Sequence, residues 1–205
     1  MLVPADTPGI DYGKKEPKMG WNAQPTRTIT FDNARVPVAN RLGNEGQGFA
    51  IAMEGLDGGR INIATCSIGT AQQALREAAD YVNERRQFGQ AIAEFQTTQF
   101  KLADMLTEVV AARQMIRLAA CKLDSRDAQA STYCAMAKRF ATDVGFKVCN
   151  EALQLFGGYG YIREYPMERH VRDTRVHQIL EGTNEIMRLI IARRLMMEDA
   201  LELIR

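Results

Sequence analysis

The chain has 205 residues, 26 Lys and Arg against 25 Asp and Glu, and a formal net charge of +1. An apolar fraction of 46% excludes a disordered chain, and the balanced charge removes the basic excess on which nucleic-acid binding rests. No apolar run approaches the roughly 18 residues of a membrane span, and the length suffices for one large domain or two small ones.

The opening segment MLVPADTPG has no basic stretch followed by an apolar one, so no secretory signal is expected. Met1–Val3 can close a strand begun earlier. The polar segment Asp6–Met19, with Pro and Gly, reads as loop, and Thr26–Phe31 (TRTITF) alternates and is β-branched, a strand signal. Two or three strands make no independent sheet. Residues 1–43 therefore read as the C-terminal remnant of a β domain, and 44–205 as a helical bundle domain. Five of the six prolines lie at or before Pro37, and none falls between residues 38 and 165. Proline lacks the N–H a helix interior needs, so its absence permits long helices.

After the turn-rich Gly43–Gly48, helical spacing runs from Phe49 to about Glu84. A second helix is expected from about Thr97 to Leu123, with Leu102, Met105, Leu106, Val109, Ile116 and Leu123 on one stripe. Ser125 or Asp127 can cap a third, whose stripe includes Ala137, Phe140, Val144, Val148 and Leu155 and which stops at Gly157–Gly158. Thr183 is a plausible N-cap for a last helix with Ile186, Ile190, Met197 and Leu201 on one face. Three long helices and a shorter one, joined by short links, predict a mainly α fold, an antiparallel four-helix bundle preceded by the last strands of an incomplete β domain.

The four cysteines, Cys66, Cys121, Cys134 and Cys149, contain no C-x-x-C, which argues against zinc and against a thiol redox motif. All four fall in helical patterns, where a free Cys packs as a small buried hydrophobe. A reducing compartment fits, either bacterial cytoplasm or mitochondrial matrix. His170 and His177 are too few for a histidine-rich metal site, so no metal is expected.

Four clusters stand out. In Gly55–Arg60 (GLDGGR), three helical glycines cost about 1 kcal/mol each relative to Ala. That cost points to close approach by a ligand or by another backbone. Glu84–Gln90 (ERRQFGQ) sets two arginines and a Phe-Gly turn where one helix ends. It can clamp a phosphate and cover a ring, or simply end a helix with favourable cations. Gln154–Tyr161 (QLFGGYGY) interleaves glycines with aromatics after a helix, as a backbone nest or as a plain turn between helices.

In Glu181–Glu185 (EGTNE), an acid stands between the apolar pair Ile179–Leu180 and a glycine at the mouth of a helix. The helix N-terminus favours its anion, whereas apolar walls and a dry ligand favour the neutral acid. A carboxylate tuned by substrate-driven desolvation is a good general base. A Glu placed there only to favour the helix dipole is the alternative. His177, nearby, reads as structural.

These motifs, with VRDTRVHQILEGTNEIMR and the opening GWNAQPTRTITFDNARVPVANRLGNEGQGF, resemble in the same order the flavin-dependent acyl-CoA dehydrogenases. GGRINIATCSIGTA and the LEGTNE form are similar to the branched short-chain branch of that family. The resemblance implies α,β-dehydrogenation of an isobutyryl-CoA-like thioester to a 2,3-enoyl-CoA. A base takes the α-proton, a β-hydride passes to FAD, and the electrons leave through electron-transfer flavoprotein. It also implies a homo-oligomer, tetramer or dimer.

Carried over by position, Glu181 is the base. Some members carry the base just before the arginine of the first helix, a position occupied here by Gly59. The cofactor residues implied are Arg85, Arg86, Gln87 and Phe88, then Phe95 and Gln96, then Gln154, Gly157 and Gly158, and Thr183, Asn184 and Glu185. For the acyl-CoA substrate they are Asp57, Arg60, Gly182 and Arg193. The resemblance covers about the second half of the family's chain. Two expectations follow: the C-terminal part of an active dehydrogenase, or a truncated, catalytically incompetent helical oligomerisation module.

Overall fold

The computed structural model describes residues 1–197 and divides into two compact units, Met1–Gly55 and Leu56–Arg205. In the first unit, β1 (Ile10–Tyr12) pairs antiparallel with β2 (Ile29–Phe31), Ile10 opposite Phe31. The expected strand at Thr26–Phe31 is thus confined to its last three residues. Strand β1 falls within the segment expected to be loop, because a three-residue pairing needs backbone partners more than an apolar pattern. Met1–Val3 forms no strand, although the Leu2 N–H donates to the Asn40 carbonyl at 2.8 Å.

Helix α1 runs from Gly48 to Glu84 without a break. A small hairpin follows, β3 (Arg86–Gln87) and β4 (Gln90–Ala91), and then α2 (Gln96–Asp124) and α3 (Ala130–Phe156). Short helices α4 (Gly158–Tyr161) and α5 (Met167–Arg175) lead to α6 (Asn184–Met197). Side-chain pairs fix the directions. Lys101 with Glu151 and Glu108 with Lys147 show α2 and α3 antiparallel. Asp57 with Ser131 and Ser67 against Gly145 show α1 running alongside α3 in the same sense. Asn184 reaches Asp143 while Arg194 reaches the Ala128 carbonyl, so α6 descends along α3. The result is an up-down-up-down bundle.

Alanines let these helices approach closely. Ala64, Ala71, Ala74 and Ala78 of α1 meet Ala112 and Ala119 of α2 and Ala137, Ala141 and Ala152 of α3 in one core, all fully buried. A Cβ on Gly145 would lie 2.2 Å from Ser67 Oγ, so no side chain fits at that crossing. Val109, Val148 and Met105 fill the remaining space, each such side chain contributing about 1.5–3 kcal/mol on burial.

Several details differ from the sequence expectation. Leu106 is exposed, because the buried stripe of α2 runs through Ala112 and Ala119 instead. Neither Ser125 nor Asp127 caps α3. Ser125 closes α2, and Asp127 Oδ1 accepts the Gln129 N–H at 2.8 Å in the preceding turn. On α6 the buried anchor is Met187, and Ile186 is exposed; Leu201 lies outside the described residues. Cys134 and Cys149 are buried as expected, but Cys66 and Cys121 are exposed. Among the described residues, no helix is long and apolar enough to cross a membrane, and no cluster of His, Cys, Asp or Glu could hold a metal ion.

Candidate functional site

The segment between α5 and α6 carries Glu181. A single 3₁₀ turn, Val176–Gln178, ends in hydrogen bonds from the Ile179 and Leu180 N–H groups to the Val176 carbonyl. Two residues with left-handed backbone follow, Glu181 at φ 55° and Gly182 at φ 85°. Glycine adopts that conformation freely, whereas a residue with a Cβ does so at about 1 kcal/mol or more. Thr183 then caps α6. Its Oγ1 accepts the Ile186 N–H at 3.4 Å, and its carbonyl starts the helix by accepting the Met187 N–H at 3.0 Å.

The consequence is where the Glu181 carboxylate comes to rest. It lies against the backbone of Gly59 in α1, where a Cβ would sit 2.5 Å from Oε2 and 3.0 Å from Cδ. Of the three glycines in GLDGGR, only Gly59 is approached; Gly55 and Gly58 face open space. The cost of a glycine in mid-helix is therefore tied, at Gly59, to one carboxylate. Glu181 itself is only partly exposed.

On either side of Gly59 in the chain, Arg60 Nη1 pairs with Asp57 Oδ1 at 2.6 Å, and the Ser131 hydroxyl donates to the same carboxylate oxygen at 3.0 Å. Arg60 is 6% exposed, and its Nε has no hydrogen-bond partner. Arg193 is exposed on α6. Glu185 is exposed and, among the described residues, accepts a hydrogen bond only from Arg188, at 3.4 Å. Asn184 is buried and its side chain is engaged by α3. Its Nδ2 donates to Thr142 Oγ1 at 3.0 Å and to Asp143 Oδ1 at 2.7 Å, so its backbone is what it can offer a ligand.

Sequence reasoning missed Lys138. It is fully buried, and its Nζ donates to the Gly182 carbonyl at 2.7 Å and to Asn184 Oδ1 at 2.9 Å. The signal was its register. Lys138 stands four residues after Cys134 and three before Ala141, on the buried stripe of α3. His177, expected to be structural, is buried, and burial pushes its pKa down to about 4.

The remaining candidates gather elsewhere. Arg85, Gln87, Gln154, Gly157 and Gly158 line one cleft of about 530 Å³, with Tyr81, Phe156 and Tyr159 among its walls. Gly157, at φ 59°, ends α3, and no atom lies within 4 Å of a Cβ placed on it or on Gly158. The Arg85 guanidinium sits 5.5 Å from the Tyr159 ring centroid. Phe88 and Gly89, both at positive φ, form the two-residue turn of the β3–β4 hairpin, a type I′ geometry that favours Asn or Gly over Phe. Phe88 is 91% exposed and meets Phe95 edge-on at 6.3 Å. Arg86 and Gln96 are exposed beside this hairpin and at the first turn of α2.

A family model of the acyl-CoA dehydrogenase C-terminal domain matches residues 46–196. The chain belongs to the acyl-CoA dehydrogenase family. It is 57% identical over 199 residues to a mitochondrial isobutyryl-CoA dehydrogenase of Dictyostelium discoideum, covering 97% of this chain and 48% of that protein. The solved butyryl-CoA dehydrogenase of Megasphaera elsdenii superposes with a TM-score of 0.92 at 46% identity, over 94% of this chain and 50% of that one. A solved chain from a structural study of the electron transferring flavoprotein of Acidaminococcus fermentans superposes with a TM-score of 0.93 at 45% identity, covering 96% of this chain and 51% of that one. The chain thus spans about half the length of the acyl-CoA dehydrogenase relatives it matches.

The cleft suits the nucleotide part of the FAD expected in this family. A cation, two amide side chains and a bare glycine turn line it, together with aromatic rings, and no carboxylate does. That donor set fits a pyrophosphate and a stacking base.

Proposed function

We propose that this chain supplies the catalytic base and the nucleotide-side cofactor contacts of an FAD-dependent acyl-CoA dehydrogenase, acting on a short branched acyl-CoA such as isobutyryl-CoA. The observation that carries the reading is the Glu181 carboxylate, held by left-handed backbone against Gly59. The missing Cβ leaves room there for the carboxylate. In family members with their base on the first helix, that base occupies the Gly59 position; the two placements converge in space.

The thioester α-proton is weakly acidic. Its removal needs a base at contact distance and donors at the developing enolate oxygen. Glu181 takes the proton onto its carboxylate, and its own backbone N–H is a donor for the thioester oxygen. Gly182, without a side chain, lets the thioester lie close. The largely buried Asp57–Arg60 pair brackets Gly59 on the same helix, where it holds the CoA side of the substrate, with Arg193 as an outer cation. FAD, when bound, supplies the acceptor for the β-hydrogen and its electron pair, which electron-transfer flavoprotein then collects.

Arg85, Arg86, Gln87 and Phe88 reach the FAD of a neighbouring copy in a homo-oligomer, Phe95 and Gln96 add an adenine-side contact, and Gln154, Gly157 and Gly158 hold the ADP part. The backbone of Thr183, Asn184 and Glu185 flanks the flavin beyond the base. Residues 1–43 belong, in this reading, to the middle β domain, and residues 44–205 to the helical domain; bacterial cytoplasm or mitochondrial matrix is the compartment. The test is the visible spectrum of the purified protein. Yellow protein bleached by isobutyryl-CoA is the expected result. A colourless oligomer, or a flavin that isobutyryl-CoA leaves oxidised, overturns it.

A further inference from the structure

A lysine inside a protein loses its hydration and persists only where its donors are satisfied. Lys138 sits fully buried in the middle of α3. Its two acceptors, the Gly182 carbonyl and Asn184 Oδ1, are neutral oxygens, and both belong to the turn that carries Glu181. The charged and titratable groups around it come from several elements: Asp143 on α3, Glu185 on α6, Glu181 in the turn, His177 in the 3₁₀ turn before it and Arg60 on α1. Burial pushes its pKa down to about 8, with Arg60 acting in the same direction and the three carboxylates opposing. At neutral pH it therefore remains mostly an ammonium.

The turn needs such a hold. Glu181 is left-handed although it has a Cβ, and no hydrogen bond or ion pair among the described residues engages its carboxylate. Helix α3 pins the turn at three places instead. Asp143 Oδ1 accepts Gln178 Nε2 at 2.8 Å before the base. Lys138 grips the Gly182 carbonyl directly after it. Asn184, bonded to Lys138, Thr142 and Asp143, fixes the far end. Of these, only Lys138 touches a backbone group of the two left-handed residues.

We propose that Lys138 is the positioning residue of the base. Its ammonium, donating to the Gly182 carbonyl and Asn184, keeps the Glu181–Gly182 backbone left-handed and so aims the carboxylate at Gly59. This rests on the reading of Glu181 as the base.

The test uses the full-length, FAD-loaded protein with Lys138→Met and Lys138→Gln, and Glu181→Gln as the reference. In single turnover with isobutyryl-CoA, Lys138→Met lowers the rate constant of flavin reduction by about 100-fold, the loss expected for an ångström of misplacement. Acyl-CoA affinity stays within about threefold, because the residue does not touch substrate. Lys138→Gln, which keeps an N–H donor, recovers part of the rate. A crystal structure of Lys138→Met shows the Glu181 carboxylate withdrawn from Gly59.

A wild-type rate in Lys138→Met, a loss of affinity as large as the loss of rate, or an unmoved carboxylate overturns the proposal. If neither variant folds, the wild-type enzyme decides. Its rate of flavin reduction falls above about pH 8, as the ammonium gives way to a weaker neutral donor, and a rate flat to pH 10 overturns the assignment. A fully active Glu181→Gln removes the base reading itself. An inactive Glu181→Gln beside a fully active Lys138→Met removes only the role of Lys138.

Discussion

Replacing Gly59 by Ala adds one methyl group at the most crowded point of the site. The new Cβ stands 2.5 Å from Glu181 Oε2, where real contacts begin at 3.0 Å and are relaxed by 3.4 Å, so the carboxylate retreats by 0.5–0.9 Å (3.0 or 3.4 minus 2.5). Proton transfer tolerates little of this, and a shift near an ångström costs about 100-fold in rate. Stability moves the other way. Gly59 lies in the interior of α1, and Ala is favoured over Gly there by about 0.8–1.0 kcal/mol, a rise of roughly 2–4 °C in Tm for a chain of this size. Gly58→Ala is the matched control, one residue away in the same helix with no atom within 4 Å of its Cβ. It gains the same stability and keeps full activity. The assays are thermal unfolding and stopped-flow reduction of the flavin by isobutyryl-CoA. A Gly59→Ala protein that reduces its flavin at the wild-type rate would refute the proposed role of the contact between this helix and Glu181.

Other outcomes follow from buried groups. His177 is held neutral, its pKa pushed by burial to about 4 from an unfolded value near 6.5. The unfolded chain therefore binds the extra proton first. Stability is full above about pH 6.5 and falls as the pH drops toward 4, by about 3 kcal/mol in all. His177→Gln flattens this slope in denaturant melts taken between pH 7 and 4. Among the thiols, burial pushes Cys134 up to about 11 and Cys149 to about 12, whereas Cys66 and Cys121 are exposed. Iodoacetamide is expected to spare Cys134 and Cys149 in the native protein, to react at Cys66 and Cys121 first, and to label all four cysteines in urea, as read by peptide mass. Native labelling of Cys149 would contradict the packing of α3.

The helical frame was legible because its signals are local. The long gap between prolines and the glycine stop at Gly157 marked α1, α2 and the end of α3 to within a residue or two, whereas the start of α3 and the short helices α4 and α5 were not marked. Strand β1 was not, since three residues of polar sequence take their order from a partner and carry no pattern of their own. The outward turn of Leu106 and Ile186 was also hidden. An alanine-rich core draws helices together on their small residues and leaves larger ones on the rim. Glu181 was legible as an acid among apolar neighbours, but its partner Gly59 lies more than a hundred residues earlier. Lys138 shows the limit most clearly. A lysine in a helix reads as a solvated cation until the fold places it against the turn that carries Glu181.

The most direct measurement is anaerobic single-turnover reduction of the flavin by isobutyryl-CoA in the Glu181→Gln variant of the full-length enzyme. The amide keeps the shape of the side chain and cannot take the α-proton. Reduction should slow by at least about 100-fold, while acyl-CoA still binds and perturbs the flavin spectrum. Reduction at the wild-type rate would mean that another group removes the proton, and the carboxylate at Gly59 would lose its assigned role.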